Sequence, residues 1–489
     1  MYQTVIFDLD GLLIDSEIIS YQLYQDLLRP YGYSFSIEDY CQNYSGKTAI
    51  GNIKSLIQRY SLPISVDEGL SFVALKEKDY IQKWIPLKKD AQVLLTYLKK
   101  NHYQIVLATS SMKVRALAIL KQNHIDTYFD DMVFGVEVKN GKPYPDIFLK
   151  ACQKVHANSN ESLVLEDSEA GIQAAHSGQI PVICIPDMKY PGNDFQDMTE
   201  AILPSLLDVI PYLKTHHCYQ LMALDMDGTL LNSQKLISQK CQDMIKKASA
   251  KGKTIVLNTG RCPAELSEYL EQLIDIRYLN CISGALVYDC HDHQQLSCQT
   301  LDIDTVKCLF EIASQENTMV QLLTEDSYVQ KNQIDKMDEY GMGVYIPMYQ
   351  KVTKKADNLQ KEYFQNPFPV EKMNIYHISP EDREKTRRRI HEKNLQIEMA
   401  DAELTSIEIS PINVHKGKGL QVLCQYLNIP LLDVIVVGDG DNDREALKMA
   451  GLAIVMDNAK ESLKQFADVI VNDNDRDGCA EAIEKYLLS

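Results

Sequence analysis

QTVIFDLDGLLIDS, residues Gln3 to Ser16, decides how this 489-residue chain folds. Its apolar and β-branched start, Thr4 to Phe7, reads as a buried strand that runs straight into Asp8, Leu9, Asp10 and Gly11. Two carboxylates two residues apart at a strand end project to one side, at the carboxyl edge where open α/β sheets bind their ligands. The same grammar returns in YQLMALDMDGTLLNS, Tyr219 to Ser233, with Asp225, Asp227 and Gly228. The spacing between the copies is that of a domain, not of a solenoid repeat. A lone Asp-x-Asp is as readily a polar turn. Two copies, each behind an apolar strand and ahead of a Leu-Leu pair, call for further partners along the chain.

Composition sets the frame. Apolar residues make up 45% and charged residues 24%, as in ordinary globular protein, and the length suggests two or three domains. The net charge of −18 argues against a nucleic-acid or anionic-membrane partner. No basic-flanked leader and no bilayer-length apolar run is present. Twelve cysteines without a C-x-x-C pair argue against a zinc site or a disulfide framework. The expectation is a reduced, soluble, cytoplasmic protein.

In the first half, residues 16–80 have helical apolar spacing broken by turns at Tyr31-Gly32-Tyr33 and Ser61-Leu62-Pro63. This reads as a helical bundle inserted beside the carboxylates, suited to a lid that excludes water. Ile105 to Ala108 reads as a strand ending in Thr109, Ser110 and Ser111, whose hydroxyls, with a helix starting near Lys113, suit phosphate oxygens. Lys142, in Gly141-Lys142-Pro143-Tyr144-Pro145-Asp146, is placed to balance phosphate against the acidic cluster. Leu163 to Leu165 is a further strand, running into Glu166 and Asp167, hard oxygen ligands of the kind Mg²⁺ takes. In this order DLDG, ATSS, GKPYPD and LEDSEAGI closely resemble the helical-cap members of the haloacid dehalogenase (HAD) superfamily. These include β-phosphoglucomutase and many sugar-phosphate phosphatases, and the resemblance covers residues 1–214. Where the mutase carries a cap arginine, this chain has Tyr44-Ser45-Gly46-Lys47-Thr48, which ranks phosphatase above mutase.

Pro211 to Cys218 reads as a short linker in which His216 and His217 are solvated rather than metal ligands. Beyond it, Thr254 to Leu257 is a strand leading to Asn258, Thr259, Gly260 and Arg261, a planar donor fork. An α/β subdomain is expected over about 288–405, with Arg387 to Arg389 on a solvated helix face. Lys416, in Val414-His415-Lys416-Gly417, is the counterpart of Lys142. Asp433 to Val437 opens into Gly438-Asp439-Gly440-Asp441-Asn442-Asp443, and Asn472 to Gly478 reads as a turn, lacking the last ligand of a calcium loop. LDMDGTLL, NTGR, VHKG, GDGDND and the terminal NDNDRDG resemble, in order, the Cof-type HAD phosphatases with an α/β cap, over residues 218–489. Ser283 and Asp457 depart from the common pattern and are expected near the substrate.

These resemblances imply two HAD-like α/β domains, each a parallel sheet flanked by helices, one with a helical cap and one with an α/β cap. They imply that Asp8 and Asp225 are nucleophiles forming aspartyl-phosphates, and that Asp10 and Asp227 act as acid and then base. A neutral acid there requires a raised pKa, which neighbouring carboxylates favour. One Mg²⁺ per domain is implied. Its ligands would be Asp8, the Asp10 carbonyl, Glu166 and Asp167 in the first half, and Asp225, the Asp227 carbonyl, Asp439 and Asp443 in the second. Thr109, Ser110 and Lys142, and Thr259, Arg261, Lys416 and Asn442, would bind phosphoryl oxygens. The implied partners are small phosphorylated metabolites. The alternatives are a phosphomutase fused to a phosphatase, or a chain with one non-catalytic binding half.

Overall fold

The computed structural model describes residues 2–45, 48–83, 85–400 and 404–488, so Lys47 lies outside the described residues. The chain divides between Leu213 and Lys214 into two compact units. In the first, six parallel strands lie in the order Asp131–Phe134, Gln104–Thr109, Thr4–Phe7, Ser162–Glu166, Val182–Cys184, Ala201–Ile202. Thr4–Phe7 is interior because its successive residues serve both faces: Val5 and Phe7 enter one buried cluster and Ile6 the other. Ile105 and Leu107 alternate with Val106 and Ala108 in the same way, as do Leu163 and Leu165 with Val164. The connection order reverses beside Thr4–Phe7, so the chain leaves three neighbouring strands at one edge, at Asp8, Thr109 and Glu166.

The insert after the first strand consists of helices Ser16–Leu28, Ile37–Asn43, Ala49–Tyr60 and Val66–Lys83. They pack around Tyr24, Phe35, Tyr40 and Tyr44. Ser36 and Thr48 start two of them by accepting bonds from the Asp39 and Gly51 amides.

The second unit contains an eight-stranded sheet. Its parallel part runs Tyr278–Cys281, Thr254–Asn258, Leu221–Leu224, Val434–Gly438, Leu452–Met456, Val469–Val471, and Leu286–Asp289 with Gln294–Cys298 extends one edge antiparallel. A separate six-stranded sheet runs Lys354–Ala356, Ser327–Gln330, Thr318–Leu323, Lys372–His377, Ser406–Pro411, Ile397–Ala400. This corrects the expected subdomain limits of 288–405. Residues 288–298 extend the main sheet, whereas Ser406–Pro411 belongs to the inserted sheet, where Ile407 and Ile409 join Met373 and Ile375 in one apolar layer. The expected linker is also corrected. Helix Val209–Thr215 covers its first part, and His217 is buried with Nε2 2.7 Å from Asp433 Oδ1. Among the described residues no helix is long and apolar enough to cross a membrane.

The inserted sheet buries His377. Its Nδ1 lies 2.9 Å from the Thr405 carbonyl oxygen, which only accepts, so Nδ1 carries the proton and Nε2 accepts from the Thr386 hydroxyl, also at 2.9 Å. Burial pushes this imidazole below its ordinary value, against the Thr405 bond, which favours the proton. The unfolded ring gains a proton near pH 6.5 while the folded ring still resists it, so stability falls as pH drops through that window. Between pH 7.5 and 5.5 the wild-type melting temperature should fall more steeply than that of His377→Gln. Parallel declines would remove His377 as the cause.

Candidate active sites

In the first unit, buried Lys142 donates to both Asp8 Oδ1 and Glu166 Oε1. Glu166 arrives from the next strand, and its Oε2 accepts from the amides of Asp167 (2.9 Å) and Ser168 (3.0 Å) and from the Ser168 hydroxyl (2.9 Å). Asp167 presses on Gly11, whose φ is +82° and where a Cβ would lie 2.2 Å from Asp167 Oδ2. Only glycine takes that backbone and that contact together.

The second unit repeats the arrangement. Lys416, fully buried, donates to Asp225 Oδ1 at 2.6 Å and Asp443 Oδ1 at 2.7 Å. Asp443 Oδ2 accepts from the amides of Asp439 (3.2 Å) and Gly440 (3.0 Å). Asp439 presses on Gly228, again with φ +82° and a Cβ-to-Oδ2 distance of 2.2 Å, and its Oδ1 accepts from Thr229 at 2.6 Å. Geometry therefore pairs Glu166 with Asp443, and Asp167 with Asp439. Thr109 and Thr259 are both buried at strand ends, each accepting from the amide two residues on, at 3.0 and 3.2 Å.

Burial dominates the electrostatics. It pushes Asp8 up to about 7; Lys142 opposes the rise, while Glu166 and Asp10 add to it. Burial likewise raises Asp225 well above the carboxylate range, against Lys416 and with Asp443 and Asp439. Asp167 is raised well above its ordinary value by burial and then by Glu166. Asp439 rises to about 6 by burial, with the Thr229 bond opposing. In each unit one lysine faces three carboxylates, so negative charge is left over. Asp225, Asp439 and Asp443 each bring an oxygen within 4.8 Å of the others. That donor set, all hard oxygen with uncompensated charge, fits Mg²⁺. In the first unit Asp8, Glu166 and Asp167 are the corresponding oxygen donors.

Several expected residues are placed differently. Ser110 is exposed, and it is Ser111 whose hydroxyl reaches Asp10 Oδ2 at 2.6 Å. Arg115, one helical turn on, donates to Asp10 at 2.8 Å and, through Nε, to Glu77 at 2.9 Å. Its spacing of four from Ser111 was the available signal. The Arg261 fork is occupied by Asp227, with Nε to Oδ2 and Nη2 to Oδ1 both at 2.7 Å, and Lys235 adds a third bond at 2.8 Å. Nothing in the local sequence marks Lys235 for that role. The expected raised pKa at Asp227 is corrected: burial pushes upward, but Arg261 and then Lys235 outweigh it and hold the carboxyl below the ordinary range. Asp457 turns away to Lys464 and Arg476, and its neighbour Asn458 reaches the Gly228 carbonyl at 2.8 Å. Ser283 is buried and accepts from Lys372 at 3.0 Å. Asn442 lines a cavity of about 360 Å³ together with Asp225, Asp227, Thr259 and Arg261.

Two family descriptions, both haloacid dehalogenase-like hydrolase, match residues 5–185 and 222–483. A phosphorylated carbohydrates phosphatase of Thermotoga maritima is 30% identical over 178 residues, 36% of this chain and 82% of that protein. The 5-amino-6-(5-phospho-D-ribitylamino)uracil phosphatase YcsE of Bacillus subtilis is 26% identical over 269 residues, 55% of this chain and 96% of that protein. The solved structure of a haloacid dehalogenase-like hydrolase from B. subtilis superposes with a TM-score of 0.50 at 24% identity, over 54% of this chain and 99% of that one, a likeness of fold.

The contact between Gly228 and Asp439 is separable from backbone strain. Gly252 has a similar φ, +74°, with nothing within 4 Å of a Cβ. Gly252→Ala should cost about 1 kcal/mol, the strain of a left-handed alanine. Gly228→Ala should cost clearly more in a melting experiment, because Asp439 must also move. Equal losses would show that Asp439 does not depend on a bare backbone there.

Proposed function

The chain belongs to the haloacid dehalogenase-like hydrolases, and on that premise we propose that it carries two phosphomonoesterase centres, one in each half. The observation that carries this reading is the buried lysine shared between a motif aspartate and a second acid, found twice: Lys142 with Asp8 and Glu166, and Lys416 with Asp225 and Asp443. A phosphoryl group set against either aspartate meets a permanent cation and the hydroxyl of Thr109 or Thr259. Positioning and charge of this kind supply most of the rate in phosphoryl transfer.

An oxygen of Asp8 or Asp225 forms the bond to phosphorus while the ester P–O bond breaks. The leaving alkoxide takes its proton from Asp10 or Asp227. The same carboxylate then removes a proton from water, which attacks the aspartyl-phosphate, releases phosphate and regenerates the aspartate. In the second half, Asp227 is bound by Arg261 and Lys235 before substrate arrives. Arg261 exchanging Asp227 for a phosphoryl oxygen frees that carboxyl to be protonated. Arg115 stands in the same relation to Asp10.

Mg²⁺ would be held by Asp8, the Asp10 carbonyl and Asp167 in the first half, and by Asp225, the Asp227 carbonyl and Asp439 in the second. Glu166 and Asp443, whose oxygens are taken by lysine and backbone amides, suit contact through water. When bound, it supplies charge that screens the carboxylates and polarises the phosphoryl group. The names of the relatives support phosphorylated sugars and similar small metabolites as substrates. The presence of a full residue set in each half supports independent specificities.

On a panel of phosphate esters, Asp8→Asn should abolish turnover of one group and spare another, with Asp225→Asn giving the reciprocal pattern. The double variant should be inert. If either single change silences the whole panel in a folded protein, the two-centre reading fails. Excess chelator should stop turnover at both centres, and added Mg²⁺ should restore it; full activity in chelator contradicts the metal assignment.

A further inference from the structure

The inserted sheet of the second unit has one apolar face and one mixed face, on which a band of polar residues lies between Met319, Leu323 and Val329, and the central strands are buried on both. Along Lys372–His377 the residues Met373 and Ile375 join Val320, Leu322, Ile407 and Ile409 in an apolar layer. The alternate positions carry Lys372, Asn374 and Tyr376, flanked by Gln321 on one neighbouring strand and by Ser406 and Glu408 on the other. Register sets Gln321, Asn374 and Glu408 side by side across three strands. All but Lys372 line the 360 Å³ cavity that ends at Asp225 and Asp227, and the exposures of Gln321, Lys372 and Asn374 are only 1%, 0% and 5%. A polar sheet face removed from water is costly unless its groups are bonded.

Most of these groups are bonded, which leaves a specific remainder. Gln321 Nε2 donates to Glu265 Oε1 at 2.7 Å and to Ser327 Oγ at 2.8 Å. Asn374 Nδ2 donates to Gln321 Oε1 at 2.9 Å, and the Tyr376 hydroxyl does the same at 2.9 Å. Asn374 Oδ1 is buried with no partner. The cations around the cavity are committed: Lys372 to Glu408 and Ser283, Arg261 and Lys235 to Asp227, and Lys416 to Asp225 and Asp443. Away from the phosphoryl end, the wall thus holds a buried acceptor without a partner, Asn374 Oδ1, beside the Glu408 carboxylate and the buried acid Glu265, set among Leu323, Met342 and Tyr349, and no unpaired cation among the described residues.

We propose that this polar band is the selectivity wall of the second centre. It receives an uncharged, hydroxyl-bearing leaving group through Asn374 Oδ1 and Glu408, and it excludes monophosphates that carry a second anionic group. The inference rests on the phosphatase reading of that half. A hydroxyl supplies the donor that Asn374 lacks. A carboxylate or second phosphate in its place would sit against Glu408 and Glu265 with no free counter-charge, the repulsive element that selectivity requires. Glu408 has a double part, since it also neutralises Lys372.

The test uses full-length protein with Asp8→Asn, so that only the second centre turns over. Three esters are compared by kcat/KM: p-nitrophenyl phosphate, erythritol 4-phosphate and erythronate 4-phosphate. The polyol should exceed the acid at least tenfold. Asn374→Leu should lower the polyol about tenfold and leave p-nitrophenyl phosphate within about threefold. Glu408→Gln, which keeps shape and frees Lys372, should raise the acid relative to the polyol by about tenfold. This second variant keeps the question open if Asn374→Leu disturbs the Gln321 network. Polyol and acid hydrolysed alike, or a Glu408→Gln protein with unchanged selectivity, would overturn the inference while the phosphatase reading survives on p-nitrophenyl phosphate. Failure to hydrolyse any ester, p-nitrophenyl phosphate included, would overturn that reading and the inference together.

Discussion

A lysine buried between two carboxylates is the constraint on which each half depends. Lys142 and Lys416 sit at the carboxyl edges of their sheets, each within hydrogen-bonding reach of the first motif aspartate and a second acid. Removing one partner from a buried pair of this kind leaves a charge stranded, at a cost of about 3–5 kcal/mol. The second acid is braced as well: two backbone amides hold its other oxygen in both halves. The amides fix the acid, the acid fixes the lysine, and the lysine presents a rigid cation beside the aspartate. The third acid, Asp167 or Asp439, has no lysine partner, and its carboxyl is pushed upward by burial, a push that a hard cation at the site would oppose.

The same geometry is reached by two different routes along the chain. In the first half the lysine's acid, Glu166, comes directly before Asp167. In the second, the lysine's acid, Asp443, comes four residues after Asp439, on a turn of helix. Reading by motif order alone would equate the wrong members. The glycines keep the account straight, because Gly11 faces Asp167 and Gly228 faces Asp439 with the same φ and the same close approach. Gly171 and Gly438 serve Glu166 and Asp443 likewise, each leaving room that a Cβ would fill.

The inserted elements differ in kind and solve different problems. The first is a helical bundle with its own aromatic cluster, and it sends Glu77 toward Arg115. The second is a sheet whose two-residue period allots one face to an apolar layer and the other to a cavity. Period-two alternation can specify both faces at once because successive side chains point oppositely. The polar band buried on that second face departs from the usual outside-polar rule, and hydrogen bonds among Gln321, Asn374, Tyr376, Glu265 and Ser327 offset most of its cost.

The sequence by itself determined the two-fold α/β plan, since alternation of apolar runs with acidic strand ends is a local pattern. Thr4–Phe7 is a strand because its four residues suit burial on both sides, and Asp8 follows it whatever the rest of the chain does. The positions of Asp225, Thr109 and Thr259 at strand ends, of Lys416 at a helix start and of Lys142 on a turn ahead of helix Asp146–Lys154 were legible for the same reason, since their neighbours mark those places. Tertiary structure alone decided the partnerships. Lys235 reaches Asp227 from a segment that carries no local mark of it, Arg115 reaches Asp10 with only its spacing of four from Ser111 to mark it, and Arg261 meets Asp227 instead of standing free. The direction of the Asp227 shift followed from those contacts, because a pKa reports the charges within a few ångströms, and neighbours in space are not neighbours in sequence. The limits of the second insert failed for a related reason. Whether Ser406–Pro411 joins one sheet or the other depends on which strand offers matching register, and only the folded chain brings the candidates together.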